Sequence, residues 1–229
     1  MLDIKIIQSI LFGLVLTTVS YFVGLQAGWI ENLNHLEALA VFANYMSAYL
    51  CVVQARSNYP IGIFATFLYS WFYWTGEPEP AKALAIFNLY LVFSLTYGYF
   101  RWGPDGKPLT VSRVKPVWWL GYVAIGSVVG ALLWVATLYG AQITPLEATI
   151  FVIMGVAQFL LDNKKLETWA VWAVVNVLSI YFFWTQGWYL VMFQYLFLLC
   201  NTIWGWSEWA RSHKETTNAQ TLSNSGIRY

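Results

Sequence analysis

Amides, hydroxyls and flat aromatic rings recur at helical spacing in this chain. Between 168 and 186, Trp169, Trp172, Asn176, Ser179 and Phe183 follow steps of three and four, which places them on one face of a helix. Displacing the chain so that Trp169 falls on Tyr59 puts Tyr59, Gly62, Thr66, Tyr69 and Tyr73 on the same pattern. Gln194, Leu198, Asn201 and Gly205 form another face near the C-terminus, and Asn44, Asn88 and Gln158 add amides inside other apolar runs. An amide donates and accepts together, which suits vicinal hydroxyls. Aromatic faces stack on a planar ring and attract one that carries positive charge. The chemistry implied is recognition of a flat, hydroxylated solute. Covalent catalysis has no comparable support, because a nucleophile needs a base within hydrogen-bond reach, and His35 and His213 fall outside the apolar runs on opposite sides. Cys51 and Cys200 both sit in apolar runs, against a disulfide framework or a cysteine zinc site. A retinal Schiff base would need a lysine that 188–208 lacks. No enzymatic activity, cofactor or metal is expected.

Those residues must be positioned by elements suited to lipid. The chain has 229 residues, of which 59% are hydrophobic, 19% aromatic and 10% charged, and its mean hydropathy is +0.56. Soluble domains run nearer half apolar and a quarter charged, so too little polar side chain is available to coat a water-soluble globule. Eight apolar runs are legible, at about 8–28, 36–55, 59–76, 82–101, 117–139, 146–162, 168–186 and 188–208. Continuous apolarity over such lengths predicts helices in a bilayer. The expected class is an all-α polytopic membrane protein with about eight transmembrane helices.

Sorting basic residues by side tests that count. One side collects Lys5, Arg56, Arg101, Lys107, Arg113, Lys115, Lys164, Lys165, Arg211, Lys214 and Arg228, and the other holds Lys82 alone, a split of eleven to one. Both termini are therefore expected in the cytoplasm. Glu37, Lys82, Glu147 and Asp162 fall at span ends, where they are expected to reach water, so ion coupling has no residue to carry it and a passive facilitator fits better. Trp74, Trp102, Trp118, Trp119, Trp184, Trp188 and Trp209 are expected in the interfacial aromatic belt.

The same displacement also lays Phe72-Tyr73-Trp74-Thr75 over Phe182-Phe183-Trp184-Thr185, and a slightly shorter one lays the stretch 97–102 over 204–209. This predicts an internal repeat: an extra N-terminal helix in 1–35, a three-helix unit in 36–101, a loop and linker helix in 102–145, a second three-helix unit in 146–209, and a disordered cytoplasmic tail in 210–229. Three crossings plus one linker keep the two units parallel. This one plus 3+1+3 arrangement places a solute path between the halves, near the midplane. For any one buried amide, interhelical bonding worth ~0.6 kcal/mol is an equal alternative.

The stretch Trp169-Ala-Val-Trp172-Ala-Val-Val-Asn176, followed by Tyr181, Trp184 and a turn at Gly187, resembles the signature of bacterial nicotinamide riboside transporters of the PnuC type. Asn58-Tyr-Pro-Ile-Gly62, Asn88-Leu-Tyr90 and Tyr97-Gly-Tyr-Phe-Arg-Trp102 support the resemblance, which covers about 36–209. The family is similar to the SWEET sugar facilitators in its 3+1+3 layout. The resemblance implies facilitated diffusion of nicotinamide riboside across the bacterial inner membrane, without ion coupling, with trapping by a cytoplasmic kinase. It also implies a homotrimer. Carried over, it places Trp172, Asn176 and Tyr181 with Gln158, and Asn88 with Gln194, around the nucleoside. With the residues read from spacing, the candidate substrate-binding set is Asn88, Gln158, Trp169, Trp172, Asn176, Tyr181, Gln194, Asn201, Thr66 and Tyr69. The expected partners are this small solute and the lipid bilayer, not nucleic acid. A SWEET-like sugar facilitator, or one for another nucleoside, is the alternative.

Overall fold

A computed structural model describes residues 3–75, 82–103, 109–138 and 142–224. They form eight helices: α1 (Ile4–Gln26), α2 (His35–Val52), α3 (Asn58–Thr75), α4 (Lys82–Arg101), α5 (Pro116–Leu138), α6 (Pro145–Asp162), α7 (Thr168–Thr185) and α8 (Tyr189–Asn224). The protein is an all-helical, multi-pass membrane protein. Five of its helices, α1, α4, α6, α7 and α8, are long and apolar enough to cross a bilayer. Their outward faces are apolar, the reverse of a soluble helix. Phe64, Phe67, Trp71 and Trp74 line the exposed side of α3, and Val174, Val177, Tyr181 and Trp184 that of α7. The repeat displacement carries the first stripe onto the second.

The elements start and stop for local reasons that recur. Asn34 caps α2 by accepting the N–H groups of Leu36 and Glu37, and Thr144 caps α6 by accepting that of Glu147. α2 ends with Ala55 N–H on the Leu50 carbonyl (2.8 Å) and Gln54 N–H on that of Cys51 (3.1 Å). α6 ends with Lys165 N–H on Leu160 (2.9 Å) and Lys164 N–H on Leu161 (2.9 Å). Both are Schellman closures with a left-handed residue just past the helix, Gln54 at φ 55° and Lys164 at φ 46°. The two residues meet, Lys164 Nζ donating to Gln54 Oε1 at 3.3 Å.

Tertiary contacts recur in the same way. Ser47 Oγ donates to the Asn58 carbonyl (3.0 Å), and Thr168 Oγ1 to that of Ala157 (2.8 Å), tying α2 to α3 and α6 to α7. Trp102 stands edge-on to Tyr59 at 5.1 Å, and Trp209 to Trp169 at 5.2 Å. The Trp102 indole N–H reaches across to the Leu161 carbonyl at the end of α6, while that of Trp209 reaches the Cys51 carbonyl at the end of α2, both at 3.3 Å. Both tryptophans are fully buried. This corrects the expectation of an interfacial belt for them: their ring N–H groups add a second bond to helix-terminal carbonyls that the Schellman closures already engage, tying α4 to α6 and α8 to α2.

α2 packs on α8 and α4 on α6, joining the helices of 35–101 to those of 145–224. α1 lies against α2 and α8, and α5 against α6. Apart from Lys82 at the start of α4, the described basic residues gather at one end, where several engage the backbone and neighbouring loops. Lys5 Nζ donates to the Val53 carbonyl (3.3 Å), Arg56 Nε to that of Tyr99 (2.8 Å), and Lys165 Nζ to Ser112 Oγ (2.9 Å). Lys107 and Arg228 lie outside the described residues. Beneath this end the 109–115 segment is strapped to the α6–α7 turn by Ser112 N–H on the Lys164 carbonyl and Leu166 N–H on that of Ser112. Lys164 is buried here against the Trp102 ring at 4.3 Å, and burial pushes its ammonium down to about 8.

The tail differs from expectation. Residues 210–224 continue α8 rather than becoming disordered, and 225–229 lie outside the described residues. His213 Nδ1 meets the Val111 carbonyl at 3.0 Å, and the hydroxyls of Thr216, Thr217 and Thr221 bond back to carbonyls four residues earlier. Docking on the strap and these local bonds hold a polar segment helical.

Candidate functional site

A cavity lies between α2, α3 and α4 on one side and α6, α7 and α8 on the other. Eight of the ten expected residues line it: Thr66 and Tyr69 from α3, Asn88 from α4, Gln158 from α6, Trp169, Trp172 and Asn176 from α7, and Asn201 from α8. Repeat-equivalent positions face each other with different side chains. Trp172 of α7 corresponds to Gly62 of α3, and both line the space, so one wall offers an indole and the other a recess. A Cβ on Gly62 would come within 2.9 Å of Ser47 Oγ.

Two expected residues are not in the wall. Gln194 is buried behind it, where its Oε1 accepts the Tyr69 hydroxyl, so it orients a lining phenol that α3 supplies. Tyr181 is 63% exposed on the outer face of α7. Its inclusion is corrected: five residues beyond Asn176 amount to about 140° around a helix, which turns it toward lipid with Val174 and Trp184.

Several polar atoms in the wall have no protein partner. Asn176 is 1% exposed, and its Oδ1 is unbonded, as are Asn201 Oδ1 and Trp169 Nε1. Such atoms are costly to bury unless something bonds them. Together they offer two acceptors and a donor, beside the Trp172 ring. Other lining groups are spoken for within the protein. Asn88 Nδ2 donates to the Leu84 carbonyl (2.9 Å), Thr66 Oγ1 to that of Ile63 (2.8 Å), and Gln158 Nε2 to Asp162 Oδ1 (2.8 Å).

Asp162 does not reach water as its place at a span end predicts. It is fully buried, with Ser94 Oγ donating to its other oxygen at 2.7 Å. Glu147 is a second correction, because it is only 9% exposed and lines the cavity. The repeat displacement brings Glu37 onto Glu147. Tyr195, which also lines the cavity, was missed, although it falls on Asn88 in the displacement that matches 97–102 to 204–209.

Aromatic clusters stand toward the two ends of the helices that line the cavity. Away from the basic end, Tyr73 and Phe183 stack at 6.3 Å and 13°, with Trp188 packed on each. At the basic end Trp102 and Trp209 meet at 5.9 Å. The arrangement is that of a chamber with a polar, aromatic waist.

A family model described as nicotinamide mononucleotide transporter matches residues 34–211. The chain belongs to this family. The match runs from the N-cap of α2 to two residues past Trp209, leaving α1 and the end of α8 outside. Among curated relatives of the family, the nicotinamide riboside transporter PnuC of Haemophilus influenzae is 30% identical over 185 residues, covering 75% of this chain and 79% of its own. The protein of the same description from Neisseria mucosa is 28% identical over 184 residues, covering 71% and 68%. A solved structure, described as the crystal structure of the vitamin B3 transporter PnuC, covers 90% of this chain and 92% of that one with a TM-score of 0.72 at 21% identity, a likeness of fold.

Proposed function

We propose that the protein is a nicotinamide riboside facilitator of the bacterial inner membrane and has no enzymatic activity. One observation carries the reading. The chamber presents unbonded Asn176 Oδ1, Asn201 Oδ1 and Trp169 Nε1 beside aromatic faces, it contains a carboxylate, and no lysine or arginine among the described residues lines it. A pyridinium riboside matches each feature, offering hydroxyl and carboxamide donors, a carbonyl acceptor and a flat cationic ring. The curated relatives carry that substrate in their description. The family description names the mononucleotide instead. A phosphate monoester brings about −1.5 to −2 of charge, and no cation among the described lining residues meets it, which favours the riboside.

In this reading Asn88, Gln158, Trp169, Trp172, Asn176, Asn201, Thr66 and Tyr69 contact the nucleoside, and Gln194 holds Tyr69 in place. The membrane arrangement is eight crossings: a helix in 1–35, a three-helix unit in 36–101, a linker helix in 102–145 and a second unit in 146–209. The contacts Gln54–Lys164, Trp102–Trp209 and Tyr73–Phe183 support parallel units. Equivalent residues that touch must flank the symmetry axis, and these pairs are distributed from one end of the helices to the other. Clustering of the basic residues at one end supports cytoplasmic termini. Phosphorylation by a cytoplasmic kinase would trap the solute, and the family resemblance suggests a homotrimer.

The test is calorimetry on purified protein with nicotinamide riboside, its 5′-phosphate and glucose. Saturable binding of the riboside alone is expected. Preference for the phosphate or the sugar overturns the assignment.

A further inference from the structure

Glu147 occupies the third position of α6 in a reciprocal cap. Its Oε2 accepts the Thr144 N–H at 2.8 Å, while Thr144 Oγ1 accepts the Glu147 N–H at 3.2 Å. Glutamine serves this cap as well as glutamate. The negative charge is therefore not required by the helix start, although the helix dipole favours it there. Nor does a cation among the described residues answer it. Their ion pairs are Arg113–Glu167 and Arg211–Glu208, and no basic side chain among them lines the cavity. A carboxylate buried without a counter-charge is costly, yet this one faces the chamber.

Resting on the riboside reading above, we propose that Glu147 is the charge-selecting residue of the site, its carboxylate favouring a positively charged ring over a neutral ring of the same shape. The repeat sharpens the assignment. Glu37 holds the equivalent position in α2, but only Glu147 belongs to the cavity wall. One oxygen of Glu37 is buried without a partner, outside that wall. The two units thus carry the same residue at the same place, and one copy faces the ligand.

Nicotinamide riboside and its 1,4-dihydro form share ribose and carboxamide and differ in ring charge. Their affinities for wild type, Glu147→Gln and Glu37→Gln, all purified as full-length protein, test the proposal. Wild type is expected to prefer the cation at least tenfold. Glu147→Gln should weaken the cation about tenfold, equivalent to about 1.4 kcal/mol, leave the dihydro form within twofold, and melt as wild type does because its cap survives. Glu37→Gln should keep the wild-type preference. Equal binding of both forms by wild type, an unchanged preference in Glu147→Gln, equal loss of both ligands there, or transfer of the effect to Glu37→Gln each overturns the proposal. Wild-type protein that binds neither form overturns the riboside reading, and this proposal with it.

Discussion

Asn176 and Tyr181 share a helix and a polar tip, yet only the first lines the chamber. Removing Asn176 or Trp172 should therefore cost binding, and removing Tyr181 should not. Asn176→Ala and Trp172→Ala are each expected to weaken riboside affinity by about 1–3 kcal/mol, the size of a lost buried hydrogen bond or stacking face. Tyr181→Ala should stay within a factor of two in the same titration. The wall was legible where residues followed steps of three and four, since phase alone puts Trp169, Trp172 and Asn176 on one side. Glu147 and Asp162 were not legible. Depth along a helix says how near the interface a charge lies, but not whether a neighbouring helix covers it. The burial of Asp162 depends on Ser94 from α4, a contact that no pattern within α6 reports.

Helix by helix, the repeat is better written in backbone and small residues than in the aromatic matches that announce it. Neither Gln54 nor Lys164 is a glycine, so the paired left-handed closures have no compositional mark. Gly98 and Gly205 do. A Cβ on Gly98 would enter the Tyr59 ring and meet the Asp162 carboxylate, and one on Gly205 would enter the Trp169 ring, so both glycines allow an aromatic side chain to lie flush against a neighbouring helix. Gly98→Ala and Gly205→Ala should each destabilise the protein by about 1–3 kcal/mol, the usual cost of overpacking a filled interior, seen as comparable drops in melting midpoint in detergent. A drop confined to one of them would contradict the equivalence of the two contacts. The extension of α8 was illegible for a different reason: composition alone made 210–224 look too polar to order, and docking of His213 on Val111 is a tertiary contact.

At the scale of the molecule, transport requires the chamber to be reached from each side of the membrane, and the question is what drives net movement. Coupling to an ion needs a group whose occupancy changes as the chamber opens. Asp162 is already engaged by Gln158 and Ser94, and Glu147 is engaged through one oxygen by its cap. A ligand that is itself a cation can answer the remaining charge without a co-transported ion. Reconstituted vesicles should therefore take up labelled nicotinamide riboside with proton and sodium gradients collapsed, and the internal concentration should approach the external one without exceeding it. Enclosing a riboside kinase with ATP should raise the total label inside above that level, because the phosphorylated product has lost its fit to a chamber lined by a carboxylate. Uptake that stops when either gradient is removed, or accumulation beyond equilibrium without the kinase, would show that the driving force lies in the transporter itself.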